Sequence, residues 1–276
     1  MEGTVVLVTG STDGLGREVA RRAAALGARV IVHGRNEQRG NALVQEISRL
    51  RQGSGGQAAT AGARFYAADF ASLDQVRELA QAVLSDYTRL DVLVNNAGIW
   101  LTDGRRQVSA DGHELHFAVN YLSGFLLTRM LLPRLVASAP SRVVNVASGS
   151  QSRIDFSDVM LTRPGRASQG YGQSKLAQIL FTFDLARELQ GKGVTVAALH
   201  PATMMDTTMV RQSGMAALST VDEGASAVMN LVAGSTVQSG QYYSGLRVTR
   251  ASAQAYDEDA RAKLRQLSLE LTGLPR

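Results

Sequence analysis

Short apolar runs recur along the chain, and each is followed by a longer segment in which apolar residues return every three or four positions. The first run, TVVLV at 4–8, is β-branched and leads into a glycine-rich turn, as a buried strand does. The next segment, LGREVARRAAAL at 15–26, has helical periodicity and stops at Gly27. The start of the chain therefore predicts a strand, a turn and a helix.

The same alternation continues along the chain. We predict further strands at 28–34, 63–70, 90–98, 141–148, 193–201 and 239–244. Helices are predicted at 36–50, 72–87, 112–138 and 171–190, the first two capped by Asn36 and Ser72, and the stretch 149–170 is irregular. Alternation of this kind produces crossover units and a parallel sheet covered on both faces. We therefore expect an α/β fold: a single doubly wound, Rossmann-type domain over 1–276, with a mainly parallel seven-stranded sheet flanked by helices.

One stretch, RQGSGGQAATAG at 51–62, has the glycine- and serine-rich composition of a flexible linker. It is short, and repeating units frame it on both sides. We therefore do not expect a domain boundary there.

Composition narrows the function classes. The 276 residues are 45% hydrophobic and 19% charged, which is typical of a globular chain with a sizeable core. The net charge of +5 comes mostly from arginines scattered singly or in pairs, so we expect no nucleic-acid partner, although some of this charge is available for an anionic cofactor. Cysteine is absent, and no run of about 18 apolar residues occurs. These features predict no disulfide, no cysteine nucleophile, no membrane span and a cytoplasmic protein.

Three glycines lie between the first strand and the first helix. VTGSTDGLG places Gly10, Gly14 and Gly16 where a Cβ would keep a pyrophosphate away from the amides at a helix N-terminus. The GxxxGxG spacing alone is also compatible with a packing turn that binds nothing. Its position directly after strand one of an alternating chain favours a dinucleotide cofactor.

The end of the second strand indicates which dinucleotide is bound. An acid at this point would bond the ribose 2′-hydroxyl of NAD, whereas an arginine accommodates the 2′-phosphate of NADP. VIVHGRN has no acid; Gly34 leaves room, and Arg35 offers a guanidinium. Arg35 as a solvated surface residue is the alternative. The sequence predicts NADP(H), with NAD(H) as the second choice.

A tyrosine precedes a lysine by four residues in YGQSK, at Tyr171 and Lys175. One helical turn separates them, so the two side chains share a helix face. That face is either an ordinary solvated one, or a proton donor beside a cation that lowers its pKa.

TGSTDGLG, NNAG at 95–98 and YGQSK occur in the order found in the short-chain dehydrogenase/reductase family, which the chain resembles over nearly its whole length. GQYYS at 240–244 and the tail at 254–274 resemble the branch that contains retinol dehydrogenases. The resemblance implies an NAD(P)-dependent oxidoreductase, and a homodimer or homotetramer formed through the long helices.

Carried onto this sequence, the resemblance makes Tyr171 the acid/base and Lys175 its partner. Ser148 in VVNVAS would hold the substrate oxygen, and Asn120 in AVNYLSG would complete the proton relay. Asp69 would lie near the adenine, and Asn96 with Gly98 near the adenosine ribose while supporting the sheet. With the glycine turn and Arg35, the expected cofactor-binding residues are Gly10, Ser11, Thr12, Asp13, Gly14, Leu15, Gly16, Arg35, Asp69, Phe70, Asn96, Ala97, Gly98, Tyr171, Lys175, Pro201 and Thr207.

Two departures from the family pattern bear on these assignments. HPATMMDTT has Ala202 where the family usually has glycine after the proline, and Asp206, Thr207 or Thr208 could each align with the threonine that reaches the nicotinamide carboxamide. We assign Thr207. The stretch between Ser148 and Tyr171 is longer than is common in the family, so we expect it to shape the substrate pocket, together with the segments 203–220 and 245–276.

The proposed chemistry follows from the residue types. Reduction of a carbonyl needs a proton on the developing alkoxide, and a phenol with a pKa near 10 is a poor acid/base at neutral pH. We expect the ammonium of Lys175 to favour the phenolate of Tyr171 and lower that pKa. Ser148, at a strand's carboxyl end, can donate a hydrogen bond to the carbonyl oxygen.

Other candidates are weaker. His113 and His116 in HELH share a helix face, but no third ligand is signalled nearby, so we expect no metal site, and we take both, with His33 and His200, as structural or surface residues. We expect Trp100 either to line the substrate pocket or to serve only as a packing residue.

Two other functions compete with an NADP(H)-dependent alcohol dehydrogenase or carbonyl reductase. A dinucleotide-sensing protein on the same fold would not need tyrosine, lysine and serine together. A sugar-nucleotide epimerase or dehydratase shares the Tyr-x-x-x-Lys element, but such proteins usually have a longer chain with a C-terminal substrate domain and a TGxxGxxG turn. The methionine-rich segment 203–218 suggests an adaptable apolar lid, so we expect a small apolar alcohol or carbonyl substrate.

Overall fold

The computed structural model describes residues 1–52 and 62–275. Its sheet contains the strands β1 (Val5–Val8), β2 (Arg29–Gly34), β3 (Arg64–Ala67), β4 (Val92–Asn95), β5 (Ser141–Val146), β6 (Val194–His200), β7 (Gln241–Ser244) and β8 (Arg247–Val248). They lie in the order β3-β2-β1-β4-β5-β6-β7-β8, and every neighbouring pair is parallel except the antiparallel β7 and β8. The α/β class and the mainly parallel sheet are confirmed.

The expected strand count of seven was one too low. The eighth strand, β8, is only two residues long and pairs back on β7 through Ser244 and Arg247. The chain reverses at Gly245, whose positive φ of 58° suits a tight turn. A strand this short has no periodicity that a sequence pattern could reveal.

The described ranges contain eight α-helices. They are α1 (Gly14–Ala25), α2 (Glu37–Gln52), α3 (Leu73–Asp86), α4 (Ser123–Ala137), α5 (Gly170–Glu188), α6 (Thr208–Gln212), α7 (Val221–Ala233) and α8 (Glu258–Thr272). Both predicted caps are present: the Asn36 side chain accepts from the amide of Arg39, and the Ser72 side chain from that of Gln75. The stretch 53–61, which holds most of the linker-like segment, lies outside the described residues.

The predicted helix 112–138 is wrong in its first turn and in its uniformity. Gly112 has a positive φ of 80°, and Val108 and Glu114 form an isolated bridge just before the helix begins. The segment Phe117–Leu122 is then a π-helix, which continues into α4. π-Helices are rare and often occur at functional sites.

Helices α6, α7 and α8 were not predicted. The start of α7 carries a capping box, in which the Thr220 side chain and that of Glu223 each accept from the other residue's amide. That signal is visible in the sequence as TVDE. Along the described ranges, no helix is both long and apolar enough to cross a membrane.

Side chains alternate between the two faces of the sheet, as in any strand. Val6 and Val8 pack in the core against α1 and α7, whereas Val5 and Leu7 face the core against α3, α4 and α5. The strand order reverses between β1 and β4, and open α/β sheets bind ligands at the carboxyl ends of the strands beside such a reversal. The glycine turn, NNAG and Ser148 all follow strands at this edge.

Candidate active site

The glycine turn brings the start of α1 against the end of β4. Gly10 has a φ of +63°, and a Cβ on it would lie 2.8 Å from the Cα of Ala97. A Cβ on Gly16 would lie 2.3 Å from Nδ2 of Asn96 and 2.4 Å from the carbonyl oxygen of Gly10. Asp13 caps α1 by accepting from the amide of Gly14 at 2.7 Å. The glycines therefore allow this close approach, and Thr12, Asp13 and Gly14 at the N-terminus of α1 stay partly exposed at the edge of the sheet.

Thr9 and Asn96 fix this turn. The Thr9 hydroxyl oxygen accepts from the amides of Asn96 and Ala97, both at 3.0 Å. Nδ2 of Asn96 donates to the carbonyl oxygens of Thr9, at 2.8 Å, and Gly10, at 3.2 Å. The Asn96 side chain thus ties the end of β4 to the glycine turn. Sequence reasoning missed Thr9.

A buried histidine joins the turn to β2. The amide of Gly10 donates to Nδ1 of His33 at 3.1 Å, and Nε2 of His33 lies 3.2 Å from the carbonyl oxygen of Ala68. Nδ1 must therefore accept, which places the proton on Nε2. Burial lowers the pKa of His33 to about 4, so the ring is neutral. Phe70, expected to bind cofactor, is buried with its ring stacked 4.2 Å from that of His33.

The first residues of the turn serve β2 as well. Ser11 is buried, its amide donates to the carbonyl oxygen of His33, and its hydroxyl oxygen accepts from the amide of His33. A Cβ on Gly34 would lie 2.6 Å from the Thr12 side chain, so Thr12 is what requires a glycine at 34. Leu15 is buried in the core.

Arg35 lies at the end of β2 with 68% of its side chain exposed, and its guanidinium is 3.8 Å from the Asp69 carboxylate. Asp69 also accepts from the amide of Ala71 at 3.0 Å. Arg39, which sequence reasoning missed, lies 3.3 Å from the Asp13 carboxylate. Two guanidinium groups therefore flank the opening beside the glycine turn.

Tyr171 lies in the first turn of α5 and is partly exposed. Its ring centroid is 5.8 Å from that of Trp100 and 6.4 Å from that of His116. Burial raises the pKa of the phenol, and a side-chain hydrogen bond with Ser148 acts in the opposite direction. The predicted lowering of this pKa by Lys175 is wrong for the protein alone, because the burial of the phenol outweighs the hydrogen bond with Ser148.

Lys175 is buried behind the phenol. Its Nζ lies 5.8 Å from the Tyr171 ring centroid and donates to the carbonyl oxygen of Val146 at 2.9 Å and to Oε1 of Gln178 at 3.0 Å. Burial lowers the pKa of Lys175 to about 7. Gln178 was missed, although a polar residue three positions after the lysine lies on the same helix face.

Asn120 lies in the π-helix. Its Oδ1 accepts from the amide of Ile99 at 2.7 Å, and its Nδ2 donates to the carbonyl oxygen of Ile99 at 3.1 Å and to Oγ of Ser174 at 2.9 Å. A Cβ on Gly98 would lie 3.3 Å from Oδ1 of Asn120 and 3.4 Å from Nζ of Lys175. NNAG, the π-helix and α5 therefore meet at Gly98.

The three candidates for the nicotinamide threonine have different surroundings in the structure. Thr207 caps α6, and its methyl group lies 3.2 Å from where a Cβ on Gly14 would be. Asp206 pairs with Arg211 at 2.7 Å, and Thr208 is the first residue of α6. Thr207 is thus the one that faces the glycine turn. Pro201, which follows β6 directly, is buried.

The stretch 149–170 is held by the C-terminal tail. The amide of Ile154 donates to Oε1 of Gln254 at 2.7 Å, and Nε2 of Gln254 donates back to the carbonyl oxygen of Ile154 at 3.0 Å. Oε1 of Gln151 accepts from the amide of Ser252, while its Nε2 donates to the carbonyl oxygen of Ser148. Hydrogen bonds therefore join the stretch 149–170 to the C-terminal segment 245–276 and to Ser148.

The two histidines of HELH, His113 and His116, have different surroundings. His116 bonds Glu114, whereas His113 lies apart from that pair and is partly exposed. Across the described ranges, no group of three or more histidine, aspartate or glutamate side chains is arranged to hold a metal ion.

The arrangement combines a helix N-terminus open to an anion, two nearby guanidinium groups, and a phenol, a hydroxyl and an amine at one sheet edge. Such a constellation can bind a dinucleotide and transfer a proton at an oxygen.

Comparisons with known proteins agree with this geometry. The profile of the short chain dehydrogenase family matches residues 4–217. Human retinol dehydrogenase 11 is 36% identical over 288 residues, covering 100% of this chain and 87% of its own length. Among solved structures, an uncharacterized protein from Mycobacterium paratuberculosis has a TM-score of 0.77 and 29% identity, with 99% of this chain and 94% of that chain covered. A short chain dehydrogenase from Burkholderia cenocepacia in complex with NADP has a TM-score of 0.69 and 28% identity, with 88% and 96% covered.

Proposed function

This chain belongs to the short-chain dehydrogenase family, and we propose that it uses NADP(H) to interconvert an alcohol and a carbonyl compound, with Tyr171 as the acid/base. Membership makes it an oxidoreductase that depends on NAD(P) and acts on CH–OH groups. The observation that carries the finer proposal is the meeting of three groups at one sheet edge: the Tyr171 phenol, the Ser148 hydroxyl and the Lys175 amine.

In the reduction direction, the phenol of Tyr171 donates its proton to the oxygen of the developing alkoxide. Burial raises the pKa of this phenol, which keeps it protonated and available at neutral pH. Ser148 bonds the same oxygen and stabilises charge as it builds. The phenolate left behind is stabilised by the Lys175 ammonium, whose pKa of about 7 keeps part of the population charged at neutral pH.

Asn120 supports this arrangement from behind. Its amide is fully engaged with Ile99 and Ser174, and Ser174 also donates to the carbonyl oxygen of Tyr171 at 2.7 Å. The side chain thereby ties the end of NNAG to the helix that carries Tyr171. Its role in a proton relay stays a proposal from the family resemblance.

The residues around the glycine turn fit a dinucleotide, because the turn places glycines at the open N-terminus of α1. Bound NADP(H) supplies or accepts the hydride. We propose that it is held by Gly10, Ser11, Thr12, Asp13, Gly14, Leu15, Gly16, Arg35, Asp69, Phe70, Asn96, Ala97, Gly98, Tyr171, Lys175, Pro201 and Thr207. Within this set, Ser11 and Phe70 would contribute through their backbone, because their side chains are buried against β2 and His33.

A preference for NADP over NAD is supported by the guanidinium groups of Arg35 and Arg39. Arg35 is largely exposed, and its distance of 3.8 Å from Asp69 makes a loose pair that a phosphate can replace. The Burkholderia cenocepacia structure contains NADP. These observations agree with the absence of an acid at the end of β2.

The substrate is proposed to be an apolar alcohol or carbonyl compound, because the Trp100 indole lies beside the phenol of Tyr171. The segments 149–170, 203–220 and 245–276 are proposed to shape its pocket. A homodimer or homotetramer and a cytoplasmic location stay predictions, which sedimentation and cell fractionation test.

The deciding experiment is NADPH consumption against a broad library of aldehydes and ketones, with wild-type protein, Tyr171→Phe and Tyr66→Phe. Tyr66 bonds Asp86 at 2.6 Å and serves as the matched control. We expect turnover by wild type and Tyr66→Phe, and a loss of about 10²-fold or more in Tyr171→Phe with NADPH affinity retained. NADPH binding without turnover of any compound would instead support a dinucleotide sensor.

A further inference from the structure

Glu114 and His116 form a buried pair beside Tyr171 that the proposed chemistry does not use. Oε1 of Glu114 lies 2.8 Å from Nδ1 of His116, and both side chains are almost fully buried. Oε2 of Glu114 accepts from the amide of Phe117 at 2.8 Å. Nε2 of His116 accepts from the amide of Leu101 at 3.0 Å. Both carboxylate oxygens and both ring nitrogens therefore have partners.

These contacts fix the tautomer of the imidazole. An amide N–H can only donate, so Nε2 of His116 must carry a lone pair toward Leu101. The proton is then on Nδ1, where it is donated to the Glu114 carboxylate. The carboxylate thus determines which nitrogen of His116 is free to accept from Leu101.

The pair also determines where the chain after β4 lies. His116 bonds Leu101, and Asn120, one helical turn later, bonds Ile99 through both its amide and its carbonyl. The intervening residue, Trp100, is held between these two attachments. Its indole centroid lies 5.8 Å from the centroid of the Tyr171 ring.

The first residue of α5 packs on the same pair. A Cβ on Gly170 would lie 2.7 Å from Oε1 of Glu114 and 2.8 Å from Nδ1 of His116. The backbone next to Tyr171 therefore contacts the pair directly. The buried pair therefore packs against the start of α5 and bonds the loop that carries the indole.

We propose that Glu114 and His116 are positioning residues that hold Trp100 as an aromatic wall of the substrate pocket, so that the indole selects an apolar group attached to the reacting carbon. The inference rests on the proposed function for its substrate, but the position of Trp100 can be measured without any turnover. The pair acts only through the backbone of Leu101 and does not touch the substrate.

The test uses the fluorescence of Trp100, which is the only tryptophan in the 276 residues. Acrylamide quenching is measured on the full chain for wild type, His116→Leu, His116→Gln and Glu114→Gln. His113→Leu, the same change at the neighbouring histidine, is the matched control. NADPH affinity is measured for each variant, and KM and kcat for any carbonyl compound that the library shows to be reduced.

Each variant makes a distinct prediction. His116→Leu removes the acceptor for Leu101, so we expect quenching of Trp100 to rise about twofold and KM for apolar carbonyl compounds to rise about tenfold, with kcat and NADPH affinity within about twofold of wild type. His116→Gln places an amide oxygen near the position of Nε2 and is expected to restore wild-type values.

Glu114→Gln keeps the shape of the side chain and serves if His116→Leu does not fold. The two donors use different carboxylate oxygens, so the NH2 group of a glutamine must replace one of these acceptors. In the orientation that keeps the Phe117 bond, the NH2 group donates to Nδ1, which moves the imidazole proton to Nε2, where it faces the Leu101 amide. Nε2 of His116 then no longer accepts from Leu101, so we expect this variant to show the same changes as His116→Leu.

The proposal is overturned if folded His116→Leu and Glu114→Gln both quench as wild type, or if His116→Gln is as impaired as His116→Leu. It is also overturned if the variants whose Trp100 quenching rises bind NADPH more weakly as well, because that would indicate general loosening of the site. Absence of turnover in all proteins would count against the proposed function and leaves the fluorescence result to decide this inference.

Discussion

Gln178 accepts a hydrogen bond from the Lys175 ammonium at 3.0 Å, within one turn of α5. The carbonyl oxygen of Val146 accepts a second one at 2.9 Å. These two acceptors offset part of the cost of burying the ammonium, whose pKa burial lowers to about 7. Gln178 thus helps to set the charge of the group behind Tyr171.

Replacing Gln178 with methionine keeps a similar volume and removes the acceptor. We expect the pKa of Lys175 to fall further, because a charge-assisted hydrogen bond is lost. A neutral Lys175 stabilises the phenolate less, so the pH midpoint for alcohol oxidation, taken from kcat/KM, should move to higher pH. Gln190→Met, an exposed change near the end of the same helix, is the control. An unchanged midpoint would show that Gln178 does not act on the lysine.

Arg35→Ala tests the preference for NADP. If the Arg35 guanidinium bonds the 2′-phosphate as proposed, its loss should weaken NADPH binding about tenfold or more, while NADH binding stays within about twofold. Titration of both cofactors, monitored by calorimetry, measures the difference. Arg49→Ala, an exposed change on α2, should alter neither. Wild-type protein that prefers NADH, together with full NADPH affinity in Arg35→Ala, would contradict the assignment.

His33 makes the stability of the fold depend on pH, with a loss of stability in acid. Burial lowers its pKa from 6.5 to about 4, so the folded state favours the neutral ring. The unfolded chain therefore binds more protons between pH 6.5 and 4, and the stability present above pH 6.5 is lost as the pH falls through this window. We expect this group to account for about 3 kcal/mol of that loss.

Urea denaturation at several pH values tests this effect in His33→Asn. The variant should be less stable at pH 7, because the bond from the Gly10 amide is disturbed. Its stability should fall less steeply than that of wild type between pH 6.5 and 4. His113→Asn should keep the wild-type slope. Parallel curves for His33→Asn and wild type would show that His33 is not responsible.

Gly16→Ala tests the close approach at the glycine turn. The added Cβ would meet Nδ2 of Asn96 at 2.3 Å and the carbonyl oxygen of Gly10 at 2.4 Å, so the turn must shift. We expect a loss of about 1–3 kcal/mol in the free energy of unfolding and a clear loss of NADPH affinity. In Gly124→Ala the nearest atom is 3.4 Å away, and stability should change by less than about 1 kcal/mol. Wild-type affinity in Gly16→Ala would contradict a cofactor at this turn.

Local sequence was enough for the fold class and for most elements. Apolar residues recur with different periods in strands and in helices, and each period is visible within a short stretch of consecutive residues. Seven strands and the helices up to α5 could therefore be located from the sequence. The caps Asn36 and Ser72 were predictable for the same reason, since a cap acts on residues within one turn. Elements with weak or very short patterns, such as β8, could not be found in this way.

The site divides along the same line. The spacing of Tyr171 and Lys175 fixes a shared helix face, and the glycine turn is one continuous segment, so both were visible in the sequence. The sequence could not show that His33 holds the Gly10 amide, because these residues are far apart along the chain and meet only across neighbouring strands.

The pKa direction of Tyr171 was also decided by the tertiary structure. The spacing to Lys175 predicted a lowered pKa, but the extent of burial, which depends on how α5, the π-helix and the loop after β4 pack together, raises it instead. The chemical groups of the site and their order after the strands can be read from consecutive residues alone. How deeply each group is buried and what it bonds cannot, because burial and long-range hydrogen bonds depend on elements that are distant in the chain.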